Sequence, residues 1–187
     1  MNKIKVKIIN GFKKTSSFGW RFVPKWKKEF ISLNGLNRFE VLVKGKNIQN
    51  QIDRRMIESD LKSNMLIPTK KEKVVFGFHN GLDFVGSDTK LLAIADGIIT
   101  EVENNDLSGN YIKVKHVIEG IGDVLLSYCH LATYTPQIRN NKVIKGEWIA
   151  VMGNSGTTST GVHCHLTVKS LKTNEIIDPE IIFEFEV

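Results

Sequence analysis

From about residue 73 to its C-terminus, this chain has no stretch of helical periodicity. Short segments rich in β-branched and aromatic residues follow one another instead: Val74–Phe76, His79–Val85, Leu91–Ala95, Ile98–Val102, Tyr111–His116, Val124–His130, Glu147–Met152 and His163–Val168. Turn-forming clusters separate them, among them Asp96-Gly97, Asn104-Asn105-Asp106, Ser108-Gly109-Asn110, Asn140-Asn141 and the run Gly153–Gly161. Many short strands joined by tight turns bury their apolar side by closing as an antiparallel sheet, sandwich or barrel. The expected class is mainly β. The first 70 residues read differently. Lys3–Ile9 and Phe39–Val43 have strand character, whereas Ile48, Ile52, Met56, Ile57 and Leu61 recur at helical spacing, which predicts an amphipathic helix from Ile48 to about Ser63, ahead of Pro68.

A length of 187 residues suits one domain, 1–187, with a small α+β insertion near its N-terminus. No run approaches the roughly 18 apolar residues of a membrane span. Met1 to Asn10 alternates Lys with Ile and Val, which reads as a strand and not as a secretory signal. The expectation is therefore a protein without a signal peptide or transmembrane segment. The net charge of +6 hides an asymmetry: residues 1–75 carry 18 Lys and Arg against 6 Asp and Glu, and residues 76–187 carry 8 against 14. A basic N-terminal region is either a solvated face or a surface for a polyanion: an anionic wall polymer, a nucleic acid or a lipid surface. No nucleic-acid-binding signature accompanies it, so no specific nucleic-acid partner is expected. Two cysteines, Cys129 and Cys164, are too few for a disulfide framework. If the neighbouring histidines face a site, alternation sends both cysteines to the opposite face, as small core residues.

Four of the five histidines sit in strand-like segments with chemical company. His79-Asn80-Gly81-Leu82-Asp83 and His163-Cys164-His165 each set two metal-competent side chains at even spacing, and even spacing along a strand is one face. Three donors drawn from three imidazoles and one carboxylate make an open zinc site, with a fourth position left for water. His79, Asp83 and one member of the His163/His165 pair supply the ligands. The other member, with His130, is then left to move protons or to stabilise an oxyanion. No His-Glu-x-x-His helix is present. His116 has no partner pattern and reads as structural or surface. Gly153-Asn154-Ser155-Gly156 lacks the lysine of a phosphate-binding loop and reads as the turn into the last histidine strand.

The motif order is more specific than any single motif. Phe78-His79-Asn80-Gly81-Leu82-Asp83-Phe84 is followed by Ala93-Ile94-Ala95-Asp96-Gly97, Tyr128-Cys129-His130-Leu131, the segment Gly153 to Gly161, His163-Cys164-His165 and a closing Asp178-Pro179. This set resembles the lysostaphin-type, LytM-like zinc metallopeptidases over roughly residues 73–182. The resemblance implies an antiparallel sheet of the duplicated-hybrid-motif type and one zinc ion per chain, held by His79, Asp83 and His165. His130 and His163 become the catalytic histidines. Ser16-Ser17-Phe18-Gly19-Trp20-Arg21 is similar to an element that directly precedes the domain in this family, which makes residues 25–70 an insertion. Cys164 stands where the family has leucine, Val162 where it has proline, and Thr167 where a glutamate is frequent.

What the resemblance implies is an endopeptidase of bacterial peptidoglycan, in which a zinc-activated water attacks the scissile carbonyl with two histidines assisting. Without a signal, such a hydrolase is expected to reach the cell wall through phage lysis or as part of a virion tail, with phage tail proteins as partners. The rival readings are a non-enzymatic activator of wall remodelling and a structural or assembly component of a tail. The sequence leaves open which bond is cut and which of His130 and His163 is the general base.

Overall fold

The structure is a computed structural model that describes residues 3–22, 76–135 and 141–187. Its strands are β1 (Ile4–Val6), β2 (Lys13–Ser16), β3 (Gly19–Phe22), β4 (Phe76–His79), β5 (Leu82–Val85), β6 (Lys90–Leu92), β7 (Gly97–Asn105), β8 (Gly109–Ile118), β9 (Gly122–Tyr134), β10 (Lys142–Val143), β11 (Trp148–Met152), β12 (Cys164–Ser170), β13 (Ile176–Ile177) and β14 (Phe183–Phe185). The one helix among the described residues, α1 (Pro179–Ile182), is a single turn. The mainly β, antiparallel expectation is borne out. The predicted helix Ile48–Ser63, the strand Phe39–Val43 and the insertion 25–70 lie outside the described residues.

The chain divides into two compact units. In Gly19–His79, the described part is the antiparallel pair β3–β4, with Gly19 opposite His79. The larger unit, Met1–Phe18 with Asn80–Val187, is built on a ten-stranded sheet whose main path runs β10-β7-β8-β9-β12-β5-β2. β11 pairs with β6 and β9, and β13 with β12.

Alternation decides which side of this sheet is core. In β12, Cys164, Leu166 and Val168 are fully buried, while His165, Thr167 and Lys169 are half-buried. In β9, Val124, Leu126 and Tyr128 face the same core, and in β8 so do Ile112 and Val114. The buried side packs against Ile8, Ile9, Leu91, Ile94, Ile149 and Phe183. Burial of this apolar area, at roughly 25 cal/mol per Å², is the main stabilising term of the unit. The second side carries polar and charged residues on the same strands.

The expected strand His79–Val85 is two strands. β4 ends at His79 and β5 starts at Leu82, so His79 and Asp83 do not share one strand face. The cause is Asn80-Gly81, a turn-forming dipeptide that interrupts the pleat. The predicted strand Lys3–Ile9 is shorter, with β1 pairing in parallel to β14 through Ile4–Phe183 and Val6–Phe185. The Asp-Pro near the C-terminus has a local explanation. Asp178 caps α1, its carboxylate accepting from the Glu180 N–H at 2.9 Å, and Pro179 occupies the first turn, where no donor is required.

Candidate active site

β12 is the strand on which the site is organised. His165 lies opposite Asp83 of β5 on one side and opposite Cys129 of β9 on the other. Residues directly opposite in a ladder share a face, so register alone brings the His165 imidazole and the Asp83 carboxylate together. His165 Nδ1 is 2.8 Å from Asp83 Oδ1, and its Nε2 is 3.2 Å from Asn80 Oδ1. His79 closes β4, and one ligand-competent atom from each of His79, Asp83 and His165 lies within 4.8 Å of the others. His79 and Asp83 are buried and His165 half-buried. Gly81 makes the close approach possible: a Cβ there would stand 2.7 Å from the His165 ring and 2.5 Å from the Leu166 carbonyl oxygen.

The donor chemistry fits a cation. A carboxylate oxygen and an amide oxygen both only accept, so the two contacts of His165 are met together by a doubly protonated ring, or by a metal ion taking the place of the Nδ1 proton beside Asp83. Two imidazoles and a carboxylate are also the nitrogen-oxygen donor set of open zinc sites.

His130 and His163 reach the site by irregular backbone. β9 shifts register between Asn110–Leu131 and Ile112–Tyr128, so one extra residue is accommodated there, and His130 has φ 65°. The shift restores Leu131 to the core although its number is odd. His130 therefore leaves the core face that its position would otherwise give it, and its ring lies 4.8 Å from that of His163 and 6.0 Å from that of His165, centre to centre. The Ser155 carbonyl accepts from His130 Nδ1 at 2.8 Å, which fixes the Nδ1–H tautomer and leaves Nε2 as the basic end. Burial pushes the His130 pKa down to about 4, so the ring is neutral at pH 7; the nearby His163 and His165 push the same way. His163 precedes β12 and is held by a bridge to Gly153. Its Nδ1 donates to the Gly161 carbonyl at 2.8 Å, and its Nε2 is 3.9 Å from Asp83 Oδ1.

All five expected site residues thus come together. His116 is separate and structural: fully buried in β8, it donates from Nδ1 to the Asp96 carbonyl at 3.0 Å. The cysteines divide. Cys164 is in the core as expected. Cys129 is not on the opposite face from the site: its register with His165 puts it on the site side, because it is His130, not Cys129, that departs from the pleat. Both thiols are free, and burial raises the Cys129 pKa to about 11, which leaves it protonated and unreactive at neutral pH. Asn80 and Ser155 join the site without a signal in the sequence, because the first stands between two ligand candidates and the second lies in a loop with the residues of a turn. Ser16, in β2, lies opposite Asp83.

Residues 77–179 match the sequence model of peptidase family M23. Over 103 residues, 54% of this chain and 26% of its relative, the chain is 33% identical to the murein hydrolase activator NlpD of Escherichia coli. It is 25% identical over 119 residues, 63% of this chain and 25% of the relative, to the peptidoglycan DD-endopeptidase ShyC of Vibrio cholerae. The chain therefore spans about a quarter of the length of these curated relatives. Among solved structures, a zinc-containing peptidase from Vibrio cholerae superposes with a TM-score of 0.50 at 19% identity, covering 95% of this chain and 39% of that one, a likeness of fold.

Proposed function

The chain belongs to peptidase family M23, and from that premise we propose that it is a zinc-dependent endopeptidase hydrolysing peptide bonds of bacterial peptidoglycan. The observation that carries the reading is the three-donor group of His79, Asp83 and His165 with two further imidazoles beside it. In this reading the trio holds one zinc ion. Bound zinc supplies Lewis acidity and a water acidic enough to ionise near about pH 7. His165 is oriented by its Nε2–H bond to Asn80. Neutral His130 offers its Nε2 lone pair as a proton acceptor, since its Nδ1–H is committed to Ser155. His163, with Nδ1–H committed to Gly161, likewise presents Nε2, where it donates to developing negative charge or to the departing amine once protonated. Both rings are held by main-chain carbonyls, so little reorganisation accompanies proton transfer.

The substrate class is supported by ShyC, whose name specifies a peptidoglycan DD-endopeptidase. The match to NlpD, named as an activator of murein hydrolases, favours a second reading in which this chain activates another hydrolase. A complete donor trio with two positioned imidazoles is more than an activator requires. The basic stretch 25–70 is proposed to hold the protein on anionic wall polymer.

The test is incubation of the zinc-loaded protein with purified walls of several bacteria, followed by mass-spectrometric identification of new amine ends. We expect new ends that vanish with a chelator and return with zinc. Intact wall from every source, together with stimulation of a separate amidase or peptidase, would favour the activator.

A further inference from the structure

The register shift that delivers His130 leaves a gap in the sheet. Between Asn110–Leu131 and Ile112–Tyr128 the β8–β9 ladder is interrupted. An unpaired main-chain group at a buried position carries the full cost of its lost hydration, so a bulge of this kind needs partners from elsewhere. Ser155 supplies them. Its hydroxyl donates to the Leu131 carbonyl at 2.8 Å and accepts from the Asn110 N–H at 3.0 Å. The Asn110 side-chain amide donates to the same Leu131 carbonyl at 3.1 Å. Ser155 then uses its own carbonyl to receive the His130 Nδ1–H. The His130 N–H is bound in turn to the Ser108 carbonyl at 2.9 Å.

This contact depends on two glycines. Gly109 has φ 63°, and a Cβ on it would meet the Ser155 carbonyl carbon and hydroxyl at 2.3 Å. A Cβ on Gly156 would stand 2.4 Å from the Gly109 nitrogen. The β7–β8 turn and the 153–161 loop are thus in direct main-chain contact. Thr157 and Thr158 fasten them further on: the Thr157 N–H and hydroxyl donate to the Asp106 carbonyl at 2.7 and 2.8 Å, and the Thr158 hydroxyl donates to the Leu107 carbonyl at 2.7 Å.

We infer that Ser155 is a positioning residue of the reaction: its hydroxyl bridges the broken ladder so that its carbonyl holds the His130 ring in the Nδ1–H tautomer, with Nε2 turned to substrate. The inference rests on the reading of His130 as a proton-moving group, and its test separates the two. In the zinc-loaded protein, long-range ¹H–¹⁵N spectra of the imidazoles, with His130 assigned by its absence in His130→Gln, report the tautomer directly. Wild type should show the Nδ1–H form. Ser155→Ala should lose it or average it, Ser155→Thr should keep it, and zinc stoichiometry should not change in either. Turnover of purified peptidoglycan should fall about 10–100-fold in Ser155→Ala, part of the 10²–10⁴-fold that a proton-transfer residue contributes. Gly109→Ala, which drives the turn against Ser155, should repeat both effects, and it carries the test if Ser155→Ala does not fold. An unchanged tautomer in the folded variants overturns the inference. A lost tautomer with unchanged turnover leaves Ser155 positioning the ring and overturns the role of His130.

Discussion

The two halves of the site are placed by different means. Asp83 and His165 are set by regular ladder register, directly opposite each other on β5 and β12. His130 and His163 are set by departures from regularity: a register shift with φ 65° in one case, an isolated bridge to Gly153 in the other. A metal ligand gains from the stiffness of a central strand, because donor positions must be held to a few tenths of an ångström. A proton-moving ring needs a defined tautomer, and a loop carbonyl aimed at Nδ1 defines one. In the proposed reading, ladder register positions two of the ligands, and loop carbonyls set the tautomers of the two proton-moving rings.

The sharpest way to break this division is to remove a ladder residue. Asp83→Ala should lower zinc affinity by more than the 10–100-fold typical of losing an outer-shell partner, and turnover should fall with it. Metal titration followed by turnover measured at saturating zinc checks whether the two losses are one. Next in size, His130→Ala and His163→Ala should each retain zinc while losing about 10²–10⁴-fold in turnover. Loss of zinc from His130→Ala would erase the distinction between ladder and loop.

The same alternation made part of the architecture legible beforehand. Cys164 falls in the core, with His165 on the other side, because the pleat of β12 is regular from its first residue. The motif order pointed to the family, and the match over residues 77–179 bears it out. Periodicity failed where the backbone departs from the pleat. Asn80-Gly81 divides what reads as one strand, so His79 and Asp83 meet by a turn and not by i, i+4 spacing. The shift at His130 reverses the parity expected for Cys129, and no local residue pattern announces it, since the gap is bridged by Ser155, 25 residues further along the chain. Long-range hydrogen bonds of this sort are tertiary facts.

Two smaller effects sharpen the contrast between the sides of the sheet. Leu166→Ala, on the buried side of β12, should cost about 2–5 kcal/mol, read as a shift in the denaturation midpoint. Thr167→Ala, its half-buried neighbour on the site side, should stay within about 1 kcal/mol. Equal losses would mean that the two sides are not divided as core and site. The smallest expected effect lies in residues 25–70. Neutralising Lys25, Lys27, Lys28, Lys44 and Lys46 together should weaken wall binding in a salt-dependent way, since charge attraction is screened beyond about 10 Å at 0.1 M salt. Cleavage of a small soluble peptide should not change.

The most direct test of the division is zinc content measured side by side in the natively purified wild type, His165→Ala and His163→Ala. These histidines are separated by one residue and differ in the role assigned to them. About one zinc per chain in wild type and His163→Ala, with little in His165→Ala, is the predicted result. Equal loss from both variants, or a wild type that carries no zinc and gains no activity when it is added, would contradict the assignment.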